Sequence, residues 1–251
     1  MSPISGITVE IETHDGTADA YFARPDDNAA HPAVLLYSDA FGLRPQMERM
    51  ADRLAGHGYS VLVPNLYYRR GTAPLFPLPA TITDAERPAL FEQIIPVMED
   101  LTPEAVARDA ESYLNWLGTR ADVATVPIGI SGYCLGARLA VVTAGAHPSR
   151  VAAAAGFHGG GLATDEPTSP HLFAPGITAE LYFGHADNDG SMPPEEIERF
   201  DKALSEAGVR HRSEVYPDAA HGYTMADTDR YSAEAAERHW TALLDLLTRN
   251  L

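Results

Sequence analysis

The chain has 251 residues, 45% of them hydrophobic, and a formal charge of −17 at neutral pH. That length suits one large domain spanning residues 1–251 and is short for two, while the charge argues against nucleic acid and anionic membrane surfaces as partners. No apolar run approaches the roughly 20 residues of a membrane span. The first ten residues lack the basic start and apolar core of a secretory signal, and a lone cysteine allows no internal disulfide, so a cytoplasmic location is expected.

In chain order, Ile7–Thr13 and Ala18–Arg24 alternate polar and apolar residues around His14-Asp-Gly16, the pattern of a β-hairpin at a sheet edge. Ala33–Tyr37 is a continuous apolar run, as expected of a strand covered on both faces. Gln46–His57 has helical spacing and Gly58 ends it; Ser60–Val63 is the next buried strand. Residues 65–100 form a proline-rich, cap-like excursion, too apolar for a linker, with one or two short helices near Glu86–Ile95. Thr102-Pro103 opens a helix to about Leu117, with Thr102 as N-cap. After the segment around Cys134 come a strand at Val151–Phe157 and a loop holding Pro167, Pro170 and Pro175. A strand at Glu180–Phe183, a helix at Glu195–Ala207, a strand at His211–Tyr216 and a closing helix at Ala233–Leu247 complete the chain. Strands alternating with helices imply a mostly parallel sheet with helices on both faces, and in such sheets sites form at the carboxyl ends of the strands.

The stretch Ile128-Gly-Ile-Ser-Gly-Tyr-Cys-Leu-Gly-Ala-Arg-Leu-Ala140 organises the rest. It reads as strand, turn and helix, with Cys134 at the tip and Gly132 and Gly136 two residues to either side. This is the nucleophile elbow, G-x-S-x-G, with cysteine in the serine position. Two later loops, each after an expected strand, carry partners for a thiol: Asp187 and Asp189, then His221. The chain order nucleophile, acid, histidine is that of an α/β-hydrolase. Histidine is needed to move the proton and the carboxylate to orient it. Asp189 is favoured over Asp187, because Pro193 downstream fixes the loop's entry into the next helix. An oxyanion hole needs two backbone N–H groups, expected from Leu135 and Ala40. No metal site or cofactor is expected; His185, Asp187 and Asp189 are close in sequence, but no second cluster has ligand spacing.

These residues resemble the dienelactone hydrolase family of α/β-hydrolases. The resemblance is carried by Gly132-Tyr-Cys-Leu-Gly136, Asp39-Ala-Phe-Gly42, Val63-Pro-Asn-Leu-Tyr67, the Asp189 loop and Ala220-His-Gly222, and spans residues 6–247. It implies an α/β-hydrolase fold and a Cys134–His221–Asp189 triad cleaving small esters or lactones through an acyl-enzyme. It also implies an acid near the thiol that keeps it protonated until substrate arrives; that position is Asp39, where the best-known members have glutamate. Phe41 and Tyr133, inside the motifs, are expected to line the substrate pocket. The family's lactone carries a carboxylate held by arginines. One of those positions is Met225 here, which supplies an apolar wall instead; the other is matched by Arg87. A small ester or lactone of neutral or weakly polar character is therefore the expected partner, with the chain a monomer or small homo-oligomer. The competing readings are a thiol-based redox or peroxide sensor, which lacks a resolving cysteine, and a hydrolase-fold binding protein without turnover.

Overall fold

A computed structural model describes residues 3–124 and 127–251. The chain opens with a hairpin of β1 (Ile4–Thr13) and β2 (Gly16–Pro25). It continues through β3 (Ala33–Tyr37), α1 (Pro45–Ala55), β4 (Ser60–Pro64), α2 (Arg87–Met98) and α3 (Pro103–Gly118). The second half holds β5 (Ile128–Tyr133), α4 (Leu135–Ala146), β6 (Val151–Phe157) and β7 (Glu180–Ala186), then α5 (Pro194–Glu206), β8 (His211–Tyr216) and α6 (Ala233–Asn250).

One sheet carries all eight strands, in the order β1-β2-β4-β3-β5-β6-β7-β8. The first hairpin is antiparallel, as is the β2–β4 pair; every pairing from β4 to β8 is parallel. The burial of β3, β4 and β5 at every residue follows from cover on both faces. On one face Met47, Met50 and Leu54 of α1 share a core with Leu243, Leu246 and Leu247 of α6. On the other, Val106 and Leu114 of α3, Leu139 of α4 and Phe200 of α5 share a core with Leu90 and Ile94 of α2. Strand order runs outward in opposite directions from β3 and β5, and Tyr37 lies beside Gly132 in the register. The loops leaving these two strands therefore flank a crevice at the sheet's carboxyl edge.

The expected α/β architecture is present, with local differences. β1 starts at Ile4, three residues earlier than its alternation suggests, and β7 runs on through Gly184-His-Ala186, whose polar histidine hides the strand. Pro170–Gly176, expected as loop, is a 3-10 helix; prolines mark a loop in sequence, yet their fixed φ also suits a tight helical turn. Thr102 does cap α3, its hydroxyl accepting from the Ala105 N–H at 3.3 Å. Among the described residues no helix is long and apolar enough to cross a membrane.

At the turn between β5 and α4 backbone segments approach closely. A Cβ at Gly132 would lie 2.1 Å from the Gly136 carbonyl oxygen, and one at Gly136 would lie 2.5 Å from the Tyr37 carbonyl oxygen. Both obstacles are backbone, so neither can swing aside. Gly136→Ala is expected to cost about 1–3 kcal/mol or more, the range for overpacking a filled core. Urea denaturation would measure it, and a wild-type midpoint would contradict the packing described.

Candidate active site

Cys134 sits between β5 and α4 with φ 52° and ψ −112°, a conformation that L-residues avoid and that costs of order 1–3 kcal/mol. The surroundings enforce it: the Cys134 N–H donates to the Phe157 carbonyl at 3.0 Å, and its own carbonyl accepts from the Ala137 N–H at 3.2 Å. The thiol is thus presented, partly exposed, at the first turn of α4, where helix amides favour negative charge.

His221, in the turn after β8, places Nε2 3.0 Å from the Cys134 sulfur and Nδ1 2.6 Å from the Asp189 carboxylate. Asp189 comes from the loop after β7, and its other oxygen accepts from the Ser191 N–H at 2.9 Å and the Ser191 hydroxyl at 2.7 Å. Burial pushes the His221 imidazole down, but the Cys134 sulfur and the hydrogen bonds to Asp189 and Cys134 outweigh it, and its pKa is pushed up to about 10. Burial raises Asp189, yet the hydrogen bond and charge of His221, together with Ser191, hold it below the usual carboxylate range. The three groups lie in line: sulfur, imidazole, carboxylate. Asp187, the other candidate acid, instead accepts from the Asp218 N–H at 3.0 Å and ties its loop to the turn after β8.

The loop after β3 supplies the second wall. The Asp39 carboxylate accepts from the Phe41 N–H at 3.0 Å, its carbonyl accepts from the Gly42 N–H at 3.1 Å, and the Tyr67 hydroxyl donates to the Ala40 carbonyl at 2.8 Å. The backbone hydrogen bonds of the described turns and loops do not engage the N–H groups of Ala40 and Leu135, the two donors expected for an oxyanion hole.

Other expectations are corrected. Asp39 does not bond to the thiol: Arg44 grips it with two guanidinium nitrogens, at 2.7 and 3.0 Å, and also holds Asp227 at 2.7 Å. Tyr133 is fully buried on the face covered by α1 and α6, its hydroxyl 3.0 Å from His239 Nε2. Alternation along β5 and its turn aims neighbours to opposite faces, so the residue beside Cys134 points away from it. Met225 is 1% exposed and belongs to that same core, so it lines no open pocket. Arg87 pairs with Asp229 at 2.9 Å and Asp84 at 3.2 Å, which neutralises it as a clamp. Phe41 does lie in the core that Cys134 packs against, its ring 5.8 Å from that of Phe91. Arg44, Tyr67 and Ser191 as partners of the site escaped the sequence reading. Arg44 lies only five residues after Asp39 in one loop, the single signal that pointed to it.

An eight-stranded sheet in this order, with a cysteine at the strained turn after β5, defines an α/β-hydrolase. The profile of the dienelactone hydrolase family matches residues 18–251, and the chain belongs to that family, a family of hydrolases. A carboxymethylenebutenolidase of Rhodococcus opacus is 26% identical over 234 residues, 92% of this chain and 86% of that one. A provisionally named carboxymethylenebutenolidase of Yersinia pestis is 28% identical over 236 residues, 92% of this chain and 83% of that one. Among solved structures, a dienelactone hydrolase-like promiscuous phosphotriesterase from metagenomic libraries superposes with a TM-score of 0.80 at 21% identity, covering 98% of both chains. A dienelactone hydrolase from Anabaena variabilis superposes at 0.67 with 17% identity and 99% of both chains.

The raised pKa of His221 makes a titration testable. His221 binds its proton more tightly folded than unfolded, so the stability it contributes is complete below its ordinary value of 6.5 and is lost as pH rises through about 10. Cys134→Ala removes the largest raising influence. The NMR midpoint of the His221 ring is expected to fall in that variant, and an unchanged midpoint would show that sulfur and imidazole are not coupled.

Proposed function

We propose that this protein hydrolyses small esters or lactones, as its carboxymethylenebutenolidase relatives are named for, through a Cys134–His221–Asp189 triad. One observation carries the reading: His221 bridges the sulfur and a buried carboxylate at 3.0 and 2.6 Å. In this mechanism the thiolate attacks the carbonyl carbon, and the carbonyl oxygen takes the negative charge within reach of the Ala40 and Leu135 N–H groups. The imidazolium then gives its proton to the departing alkoxide as the C–O bond breaks, leaving a thioester on Cys134. Neutral imidazole next takes a proton from water, whose oxygen attacks the thioester; the C–S bond then breaks, the acid leaves, and the thiolate and imidazolium are restored. Asp189 fixes the tautomer in both halves.

The substrate is small and neutral or weakly polar in this reading. Phe41, Phe76, Leu78 and Phe91 supply apolar surface on the thiol's side of the sheet. Arg44 and Arg87 are each neutralised by two aspartates, and a charge of −17 repels anions at long range. Arg138, one turn along α4 from Cys134, is the one arginine among the described residues with neither an ion pair nor a hydrogen bond, and burial lowers its pKa.

Cys134→Ala is expected to abolish turnover of an activated aryl ester with the fold intact; retained turnover would leave the thiol without a catalytic role. Asp189→Asn should lower kcat about a hundredfold or more and Asp187→Asn little, because only the first reverses the imidazole's hydrogen-bond demand. The opposite ranking would reassign the acid. For a matched neutral and anionic ester pair, kcat/KM should favour the neutral member at low and high salt. A clear anionic preference at both would contradict the substrate class and point to Arg138.

A further inference from the structure

Beside His221 stands a second histidine that the proposed chemistry does not use. His158 follows β6, has no exposed surface, and takes a left-handed φ of 40°, rare for a residue with a side chain. Its ring meets the His221 ring edge-on, with centroids 5.3 Å apart and planes at 63°, and meets the Tyr223 ring at 5.0 Å. Nε2 lies 2.7 Å from the Thr224 hydroxyl, while Nδ1 is buried without a partner among the described residues. A strained backbone and an unsatisfied ring nitrogen at one fully buried position are both costs, and a core phenylalanine would avoid the second.

The contacts say what those costs serve. The turn 220–225 carries His221 and is fastened to the sheet by the two residues after Gly222. The Tyr223 hydroxyl donates to the Gly184 carbonyl of β7 at 3.0 Å, and Thr224 bonds His158 at the end of β6. β6 in turn accepts the Cys134 N–H through Phe157, the residue before His158. The path from sulfur to imidazole thus closes through His158 and Thr224. Burial and the neighbouring charge of His221 keep His158 neutral, so it does not compete for the proton. The groups facing it are His221, Tyr223, Tyr133, His239 and, at longer range, Asp189.

We propose that His158 and Thr224 form a positioning pair that sets the His221 imidazole at hydrogen-bonding distance from Cys134. This rests on His221 acting on the thiol in the hydrolysis proposed above. The test is Thr224→Val, which keeps the shape and removes the hydroxyl, with Thr224→Ser as rescue. Valine is expected to lower kcat per titrated active site about tenfold, the worth of one buried hydrogen bond, with KM changed less than about threefold. It should also lower the NMR midpoint of His221, because sulfur and carboxylate no longer sit at their present distances. Serine should restore both. His158→Phe should act in the same direction, and His158→Phe/Thr224→Val should be no worse than the poorer single variant, since both cut one link. A wild-type kcat and midpoint in Thr224→Val, or losses that multiply in the double variant, would overturn the pairing. The midpoint reads geometry even in the event that Cys134→Ala keeps turnover, so failure of the hydrolytic reading and failure of the pairing give different results.

Discussion

The site depends on a backbone approach that leaves no room for a side chain. α4 begins so close to β3 and β5 that Gly132 and Gly136 face carbonyl groups where a Cβ would stand. Within that turn Cys134 adopts a positive φ and projects its sulfur at the helix start. The same constraint fixes Leu135, whose N–H follows directly, and brings the loop of Asp39 and Ala40 alongside through the β3–β5 register. Proximity that would cost a flexible chain a large entropy is therefore set during folding.

Two charge systems share this edge and remain separate. In one, a thiol, an imidazole and a carboxylate lie in line, and the imidazole and carboxylate each favour the ionised form of the other. In the other, Arg44 is almost entirely buried between Asp39 and Asp227, and the attraction of the two carboxylates outweighs the cost of burying the guanidinium. The second system is structural in its contacts: it closes the loop after β3 on itself and ties it to the segment after the His221 turn. It also uses up the acid nearest in sequence to the oxyanion position. Arg44 joins the many arginines of this protein that are paired with its excess of acids.

Much of this was legible in the sequence. β3 and β4 were readable as unbroken apolar runs because a strand covered on both faces needs no alternation. The thiol, histidine and acid were readable because each follows a strand in the order that a parallel sheet brings together, and Pro193 separated Asp189 from Asp187. What failed is equally physical. Tyr133 and Met225 are near in sequence to Cys134 and His221, but side-chain direction, not sequence distance, decides what touches a substrate, and both point into the core. Arg87 read as a clamp, and Arg44 was not read at all, because their partners at Asp229 and Asp227 lie far along the chain. Thr224 gave no sign at all, since its partner His158 comes from a different strand end.

The central claim is that the Cys134 sulfur becomes covalently bonded to the acyl group of the substrate. Rapid acid quench during turnover of an activated aryl ester, followed by peptide mass spectrometry, reads this directly. The account predicts a transient mass increment equal to the acyl group on the peptide holding Cys134. Turnover with no increment there, or with one on another residue, would contradict it.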